Sequence, residues 1–144
     1  MTHSWIIYAI LAAILWGLNY TLAEKILQSI SPITLLALEM LFGGVLFFII
    51  SYFMQLKTDL ITLTTQPTLF LLTVCEIIAV LIASYFIVLS IHSKNATVAG
   101  IIELIYPLFT IMFTWLLFRE NHLNLPTLIG GGFILIGVLI ISFA

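Results

Sequence analysis

Five apolar runs follow each other along the chain, separated by short polar connections. A helix needs about 20 apolar residues to cross the hydrocarbon core of a bilayer, and each run meets this length. The predicted spanning helices cover roughly residues 4–23, 32–53, 67–91, 96–118 and 124–143. Only 7% of the residues are charged, whereas soluble domains carry roughly 25%. The sequence therefore predicts an all-α integral membrane protein, with residues 1–144 as a single transmembrane domain.

Proline and small polar residues mark where several of these helices begin. Ser and Asn cap the first turn of a helix, and Pro fits its first position. Such signals stand at Ser31, Pro32, Pro67, Asn124 and Pro126. The Thr-rich polar stretch at residues 55–66 is predicted as a loop. The connection at residues 92–95 is short, so the third and fourth helices should be antiparallel neighbours.

The Lys and Arg residues are shared equally between the two membrane faces. Five spanning helices place the termini on opposite sides, and cytoplasmic connections usually carry the excess of Lys and Arg. The N-terminal side receives Lys57 and Arg119, and the C-terminal side receives Lys25 and Lys94. This equal distribution favours neither membrane orientation, so it is compatible with insertion of the chain in both orientations.

Several function classes are excluded by residues that the sequence lacks. Four Lys plus Arg residues are too few for a nucleic-acid-binding surface. The single cysteine, Cys75, lies inside an apolar run, and His3, His92 and His122 lie at segment ends without the spacing of a zinc site. No nucleophile–base pair or phosphate-binding motif is present. We therefore predict no nucleic-acid partner, no metal, no cofactor and no enzymatic activity.

The fourth predicted helix carries a carboxylate and a proline near its middle, Glu103 and Pro107. A charged side chain in hydrocarbon is costly, so it normally faces a cavity or a partner. Pro107 has no N–H to donate to the carbonyl of Glu103, four residues earlier. At about 100° per residue, the Glu103 face also holds Ala99, Gly100, Tyr106, Thr110 and Thr114. This small, polar face suits a cavity lining or, alternatively, a close contact between helices.

Three glutamates lie within the predicted spans: Glu39, Glu76 and Glu103. Counted at about 1.5 Å per residue, Glu39 and Glu103 lie about 10 Å below the membrane face that holds the C-terminus, and Glu76 about 13 Å below the opposite face. No Lys or Arg lies in the predicted spans to neutralise them. Such carboxylates are expected to be protonated in an empty site and to ionise when a cation arrives. Alternatively, each is a protonated group that hydrogen-bonds to a neighbouring helix.

Other side chains on the first and fourth helices complete the predicted site. Trp16, Tyr20 and Tyr106 would offer aromatic faces to a cation. Asn19 would hydrogen-bond a substrate, although a role as a bond between helices is favoured. On the fifth helix, Gly130 and Gly137 share a face that predicts a packing and dimerisation surface.

Several motifs resemble those of EamA-type proteins of the drug/metabolite transporter superfamily. Residues 16–20 read Trp-Gly-Leu-Asn-Tyr, similar to the family's Trp-Gly-x-Asn-Phe signature. The C-terminal half follows the family's Pro…Leu-Leu-x-x-Glu…Leu-Ile-Gly…Gly-Val pattern. The matching positions are Pro107 and residues 116–120, 128–131 and 137–138. The resemblance covers essentially the whole chain as one five-helix repeat, whereas typical members carry two.

The resemblance implies a secondary transporter of small organic metabolites or drugs. Two directly fused five-helix repeats are inverted relative to each other, and a single repeat would regain this architecture by pairing with an oppositely inserted copy. We therefore expect a homodimer, with the antiparallel arrangement favoured, in the cytoplasmic (inner) membrane of a prokaryote. Glu39 stands in the second helix, where many members have an Arg. Three acids without an internal base predict a cationic or amine-bearing substrate, exported in exchange for protons by alternating access.

Two other functions stay open from the sequence. A single repeat would also serve as an accessory or regulatory subunit of another transporter, and a lipid-carrier flippase would show a lateral opening between helices. The lead prediction has Glu39 and Glu103 as the central pair of a substrate-binding and proton-coupling site, while Pro107 shapes the helix. The other predicted site residues are Glu76, Asn19, Trp16, Tyr20 and Tyr106.

Overall fold

The computed structural model describes residues 4–121 and 123–143, and within these ranges it contains helices and no strands. The elements are α1 Ser4–Ile26, α2 Pro32–Met54, α3 Leu56–Thr65, α4 Pro67–Ser93, α5 Ala96–Glu103, α6 Tyr106–Phe113, a π-helical turn Thr114–Phe118, and α7 Leu125–Ser142. Five segments are long and apolar enough to cross a membrane: α1, α2, α4, Ala96–Phe118 and α7. The predicted all-α membrane fold with five spanning helices is therefore confirmed. His3 and His122, predicted at segment ends, lie outside the described residues.

Side-chain caps fix where three of these helices begin. The Ser31 hydroxyl accepts from the N–H of Thr34 at 3.2 Å, and Pro32 is the first residue of α2. The side-chain oxygens of Asn95 and Asn124 each accept a backbone N–H three residues later, both at 2.8 Å. Each cap gives a partner to one of the N–H groups that a helix leaves unpaired at its start.

The buried core lies at one end of the helix bundle. Its side chains come from the end of α1 and the segment after it, the start of α2, the end of α4 and the start of α5. They are Ala23, Leu27, Leu35, Val88, Ile91, Ala96 and Ala99. Since consecutive spans run in opposite directions, these parts all lie beside the same membrane face. We call this face the core end and the opposite face the open end.

No comparable core forms towards the open end among the described residues. Residues 5–18 of α1 are all exposed, and so are residues 44–54 of α2 except Ser51. Successive helix residues point about 100° apart, so each of these stretches samples the whole circumference of its helix. Within the described part of the chain, no neighbouring helix therefore buries either stretch. The buried core is at the core end, and α1 and α2 are uncovered towards the open end.

A side chain of α1 fixes the turn between α4 and α5. The carboxylate of Glu24 accepts from the N–H of Ala96 at 2.7 Å, beside the Asn95 cap. A negative charge at a helix start is favourable, because the unpaired N–H groups and the helix dipole are positive there. The start of α5 is thereby held against the end of α1.

The segment between α2 and α4 differs from the prediction. Residues 55–66 were predicted as a polar loop, but they contain helix α3, which is joined to its neighbours by Gln55 and Gln66 alone. The hydroxyls of three of its threonines donate to carbonyls three or four residues earlier. Thr has a low intrinsic helix propensity, yet packing against α2 and α4 stabilises the helix.

The glycines of α7 also pack differently from the prediction. A Cβ added at Gly131 would lie 3.0 Å from Cδ2 of Leu108, so α7 and α6 approach closely at this point. Around Gly130 and Gly137, nothing in the described part of the chain lies within 4 Å of an added Cβ. The close contact within the chain is thus made by Gly131, and a dimerisation surface at the other two glycines stays a prediction.

Candidate functional site

Two consecutive residues of α1 hydrogen-bond the carboxylates of two other helices. The amide Nδ2 of Asn19 donates to Oε1 of Glu39 in α2 at 3.5 Å. The hydroxyl of Tyr20 donates to Oε2 of Glu103 in α5. Consecutive helix residues point about 100° apart, so α1 reaches one neighbour with each side chain. The structure therefore joins both glutamates of the predicted pair to α1, and we call Asn19, Tyr20, Glu39 and Glu103 the carboxylate layer.

The carboxylate layer lies next to the packed end of the bundle. Tyr20 is half-buried and packs against the core cluster, which includes Ala23 one turn later in α1. Asn19, Glu39 and Glu103 are also half-buried. Residues 5–18 of α1, before this layer, are exposed. The layer thus lies at the boundary between the packed core and the exposed part of α1.

Aromatic side chains and a glycine set the position of Tyr20. The rings of Trp16 and Tyr20 lie 5.8 Å apart between centroids and are tilted by 57°. On the other side, a Cβ added at Gly100 would lie 3.2 Å from Cδ2 of Tyr20. Gly100 therefore allows the ring to lie against the backbone of α5, where its hydroxyl reaches Glu103 less than one turn later.

The fourth span is interrupted directly after Glu103. The N–H groups of Leu104, Ile105 and Leu108 donate to carbonyls three residues earlier, at 3.0 to 3.2 Å, instead of four. Pro107 supplies no N–H to the carbonyl of Glu103, so the regular ladder cannot continue through this point. Glu103 therefore ends one helix, and Pro107 stands in the first turn of the next.

The remaining predicted site residues lie outside the carboxylate layer. Glu76 is exposed on α4, and its carboxylate makes none of the hydrogen bonds of the layer. Tyr106 is 60% exposed and Trp16 is 59% exposed. Trp16 reaches the layer through its ring contact with Tyr20. The structure thus brings together two of the three predicted acids.

A cavity with mostly apolar walls and a few polar groups lies beyond Glu103 towards the open end. Its volume is about 360 Å³, which is within the range of small-molecule sites. Its lining residues are Thr110, Ile111, Thr114, Trp115, Glu120, Asn121 and Leu123. The π-helical turn forms one side and ends at Arg119, which has a left-handed backbone (φ 59°) and lies 5.1 Å above the Trp115 ring. The cavity adds a fourth acid, Glu120, near the open end.

The carboxylate layer contains two acidic groups and no Lys or Arg side chain. Lys25 is the only Lys or Arg in the five spanning segments, and it stands next to the last residue of α1. Both donors to the carboxylates, an amide and a phenol, are neutral. In the part of the chain that the structure describes, no cluster of three His, Cys, Asp or Glu side chains would hold a metal ion. The layer is suited to accept protons or an organic cation.

Three features of the site were missed from the sequence. Glu24 matches no motif and reaches Ala96 across 72 positions of sequence, so no local signal reveals it. Gly100 was placed on the Glu103 face, but its contact with Tyr20 depends on the approach of α1. Glu120 lies beyond the end of the π-helical turn, after the left-handed Arg119, so no helical periodicity places it with Thr110 and Thr114 in the cavity lining.

Comparison with models of known protein families gives a match. The EamA-like transporter family matches the chain over residues 3–143, which is almost its whole length. Comparisons with curated proteins and with solved structures find no match.

Proposed function

The chain belongs to the EamA-like transporter family, whose members are membrane transporters of small molecules, and on that premise we propose that it exports small organic cations or amine-bearing molecules in exchange for protons. The carboxylate layer carries this proposal. Glu39 and Glu103 lie at one depth, accept only neutral donors and adjoin a region that is uncovered towards one membrane face. A substrate with a positive charge complements this arrangement.

Exchange follows from the cost of an isolated charge in the membrane. A protonated carboxyl group is neutral, and a carboxylate paired with an ammonium group is nearly so, whereas an ionised carboxylate alone in a dry site is expensive. Release of the substrate therefore favours uptake of a proton, and release of the proton favours uptake of the substrate. Two carboxylates in one layer allow one or two protons to be exchanged in each cycle. Glu76 and the aromatic rings of Trp16 and Tyr106 would line the path of the substrate.

We further propose that the functional unit is an antiparallel homodimer in the cytoplasmic membrane of a prokaryote. The argument rests on the exposed stretches of α1 and α2 near the open end, which a second copy would cover. In an antiparallel pair, each membrane face would hold the core end of one protomer and the open end of the other. The balanced Lys and Arg count is compatible with both insertions.

Proton-coupled transport in reconstituted vesicles tests the substrate class. Purified protein is placed in lipid vesicles that contain a pH-sensitive dye, and a panel of primary and quaternary alkylammonium ions is added. We expect proton movement with at least one member, and its loss in Glu39→Gln and Glu103→Gln. Asp59→Asn, in helix α3 outside the layer, is the matched control and should behave as the wild type. Proton movement that persists in both glutamine variants would exclude the carboxylate mechanism.

The dimer arrangement has a separate test. A reporter attached after Ala144 should be detected on both membrane faces in cells, and cysteine pairs should cross-link protomers of opposite orientation. Detection on one face alone would rule out the antiparallel pair. Copurification with an unlike membrane protein in a fixed ratio would instead support an accessory subunit.

A further inference from the structure

The two carboxylates of the layer are held in different ways. Glu103 accepts directly from the phenolic hydroxyl of Tyr20, whereas the contact from Asn19 to Glu39 is long, at 3.5 Å. A hydrogen bond of 3.5 Å lies beyond the usual range of 2.7–3.2 Å for N–H donors, so it contributes little. A ligand that approaches the layer therefore meets one weakly held carboxylate and one that already has a close donor.

The position of Tyr20 is fixed by three contacts besides this hydrogen bond. Trp16 lies against its ring, Gly100 allows it to lie on the backbone of α5, and the core cluster packs below it. Contacts on several sides restrict the side chain to few rotamers. The phenol is thus directed to Glu103 by the packing around it.

We propose that Tyr20 is a positioning residue that occupies Glu103 in the empty site and that a cationic substrate must displace its hydroxyl to bind. This inference rests on the proposed function, because it assumes that Glu103 receives the cation. The physical reason is that the phenol and the substrate's positive group compete for the Glu103 carboxylate. The oxygen that accepts the phenolic hydrogen is no longer available in the same direction to an ammonium group. Once Glu103 has released its proton, the substrate therefore replaces an existing bond from the phenol to the carboxylate instead of adding a new one.

Tyr20→Phe removes the competing hydroxyl and keeps the aromatic ring. Removal of the competing hydroxyl should strengthen binding by roughly tenfold, which corresponds to about 1.4 kcal/mol. The experiment measures binding of the alkylammonium ion that gives the largest proton movement. It uses the full chain in lipid nanodiscs and an alkaline buffer, in which protons compete least with the added cation. Tyr52→Phe, near the open end of α2 and outside the layer, is the matched control and should leave binding unchanged.

A double-mutant cycle separates competition from a general structural effect. If the hydroxyl acts through Glu103, Tyr20→Phe has no effect on binding in a Glu103→Gln background. Gly100→Ala gives a second probe, because its methyl carbon would crowd the ring at 3.2 Å and displace the phenol from Glu103. This variant should strengthen binding in the same direction as Tyr20→Phe. Circular dichroism and thermal unfolding show whether each variant is folded.

The outcomes distinguish this inference from the function on which it rests. Equal binding by the wild type and Glu103→Gln would overturn both, since Glu103 would then not receive the cation. Weaker binding in Glu103→Gln, together with unchanged or weaker binding in Tyr20→Phe, would overturn the role of Tyr20 alone. An equal effect of Tyr20→Phe with and without Glu103 would show that the hydroxyl acts on the fold and not through the carboxylate.

Discussion

Replacement of Glu24 by Ala is expected to destabilise the core end more than any other single change to an acidic side chain. The Glu24 carboxylate is the partner of the Ala96 N–H at 2.7 Å, and Ala96 is only 8% exposed. A hydrogen bond to a charged group contributes about 1.5–3 kcal/mol, and a buried N–H left without a partner costs a similar amount. Glu24 is half-buried, so water recovers part of this loss. We expect Glu24→Ala to lower the free energy of unfolding by about 2 kcal/mol.

Equilibrium unfolding in mixed detergent micelles, followed by circular dichroism, measures this change. Glu24→Gln should lose less, about 1 kcal/mol, because the amide oxygen still accepts a hydrogen bond but no longer carries a charge. Gln28→Ala is the control, since Gln28 is exposed near the same end of the bundle. If Glu24→Ala and Gln28→Ala unfold at the same detergent fraction, the hydrogen bond from Ala96 to Glu24 does not contribute to the free energy of unfolding, and the reasoning is wrong.

Two further predictions concern the packing of α6. Gly131→Leu should destabilise the fold by about 1–3 kcal/mol, because an added Cβ already lies 3.0 Å from Leu108. Gly132→Leu, with open space around it, should cost less in the same unfolding measurement, and equal costs would contradict the assigned contact. Pro107→Ala restores an N–H that is able to donate to the carbonyl of Glu103. Hydrogen exchange of the amides at residues 104–108 should then become slower than in the wild type, and unchanged exchange would show that the interruption does not depend on the proline.

The spanning helices were predictable from the sequence because their cause is local. Hydrocarbon accepts a backbone only when its hydrogen bonds are satisfied within the segment, so a long apolar run forms a helix. The starts at Pro32 and Leu125 follow equally local signals, since the caps at Ser31 and Asn124 act within three residues. Helix α3 was missed for the opposite reason. Its threonines favour a loop by propensity, and contacts with α2 and α4 decide the outcome.

The candidate site was predictable in part. The depth of Glu39 and Glu103 follows from counting residues along their helices, and the structure joins both acids to α1. Their donors were not predictable, because the contact of Tyr20 with Glu103 spans 83 positions of sequence and depends on how α1 and α5 are packed. The exposure of Glu76 was not predictable either. It depends on the lack of a core near the open end, which no property of α4 alone reveals.

Helices α1 and α5 meet in a regular register that explains why the site is where it is. Glu24 contacts Ala96, and Tyr20 contacts Gly100, so each step of one helical turn on α1 matches one turn on the antiparallel α5. This register brings the phenol of Tyr20 to Glu103, which is the last residue of α5. Buried residues occur in α5 but not in α6. The carboxylate therefore belongs to the segment that is anchored at the core end, and Pro107 belongs to the segment beyond it. For this reason the effect of Pro107→Ala should be confined to residues 104–108 and should leave the hydrogen bond between Tyr20 and Glu103 in place.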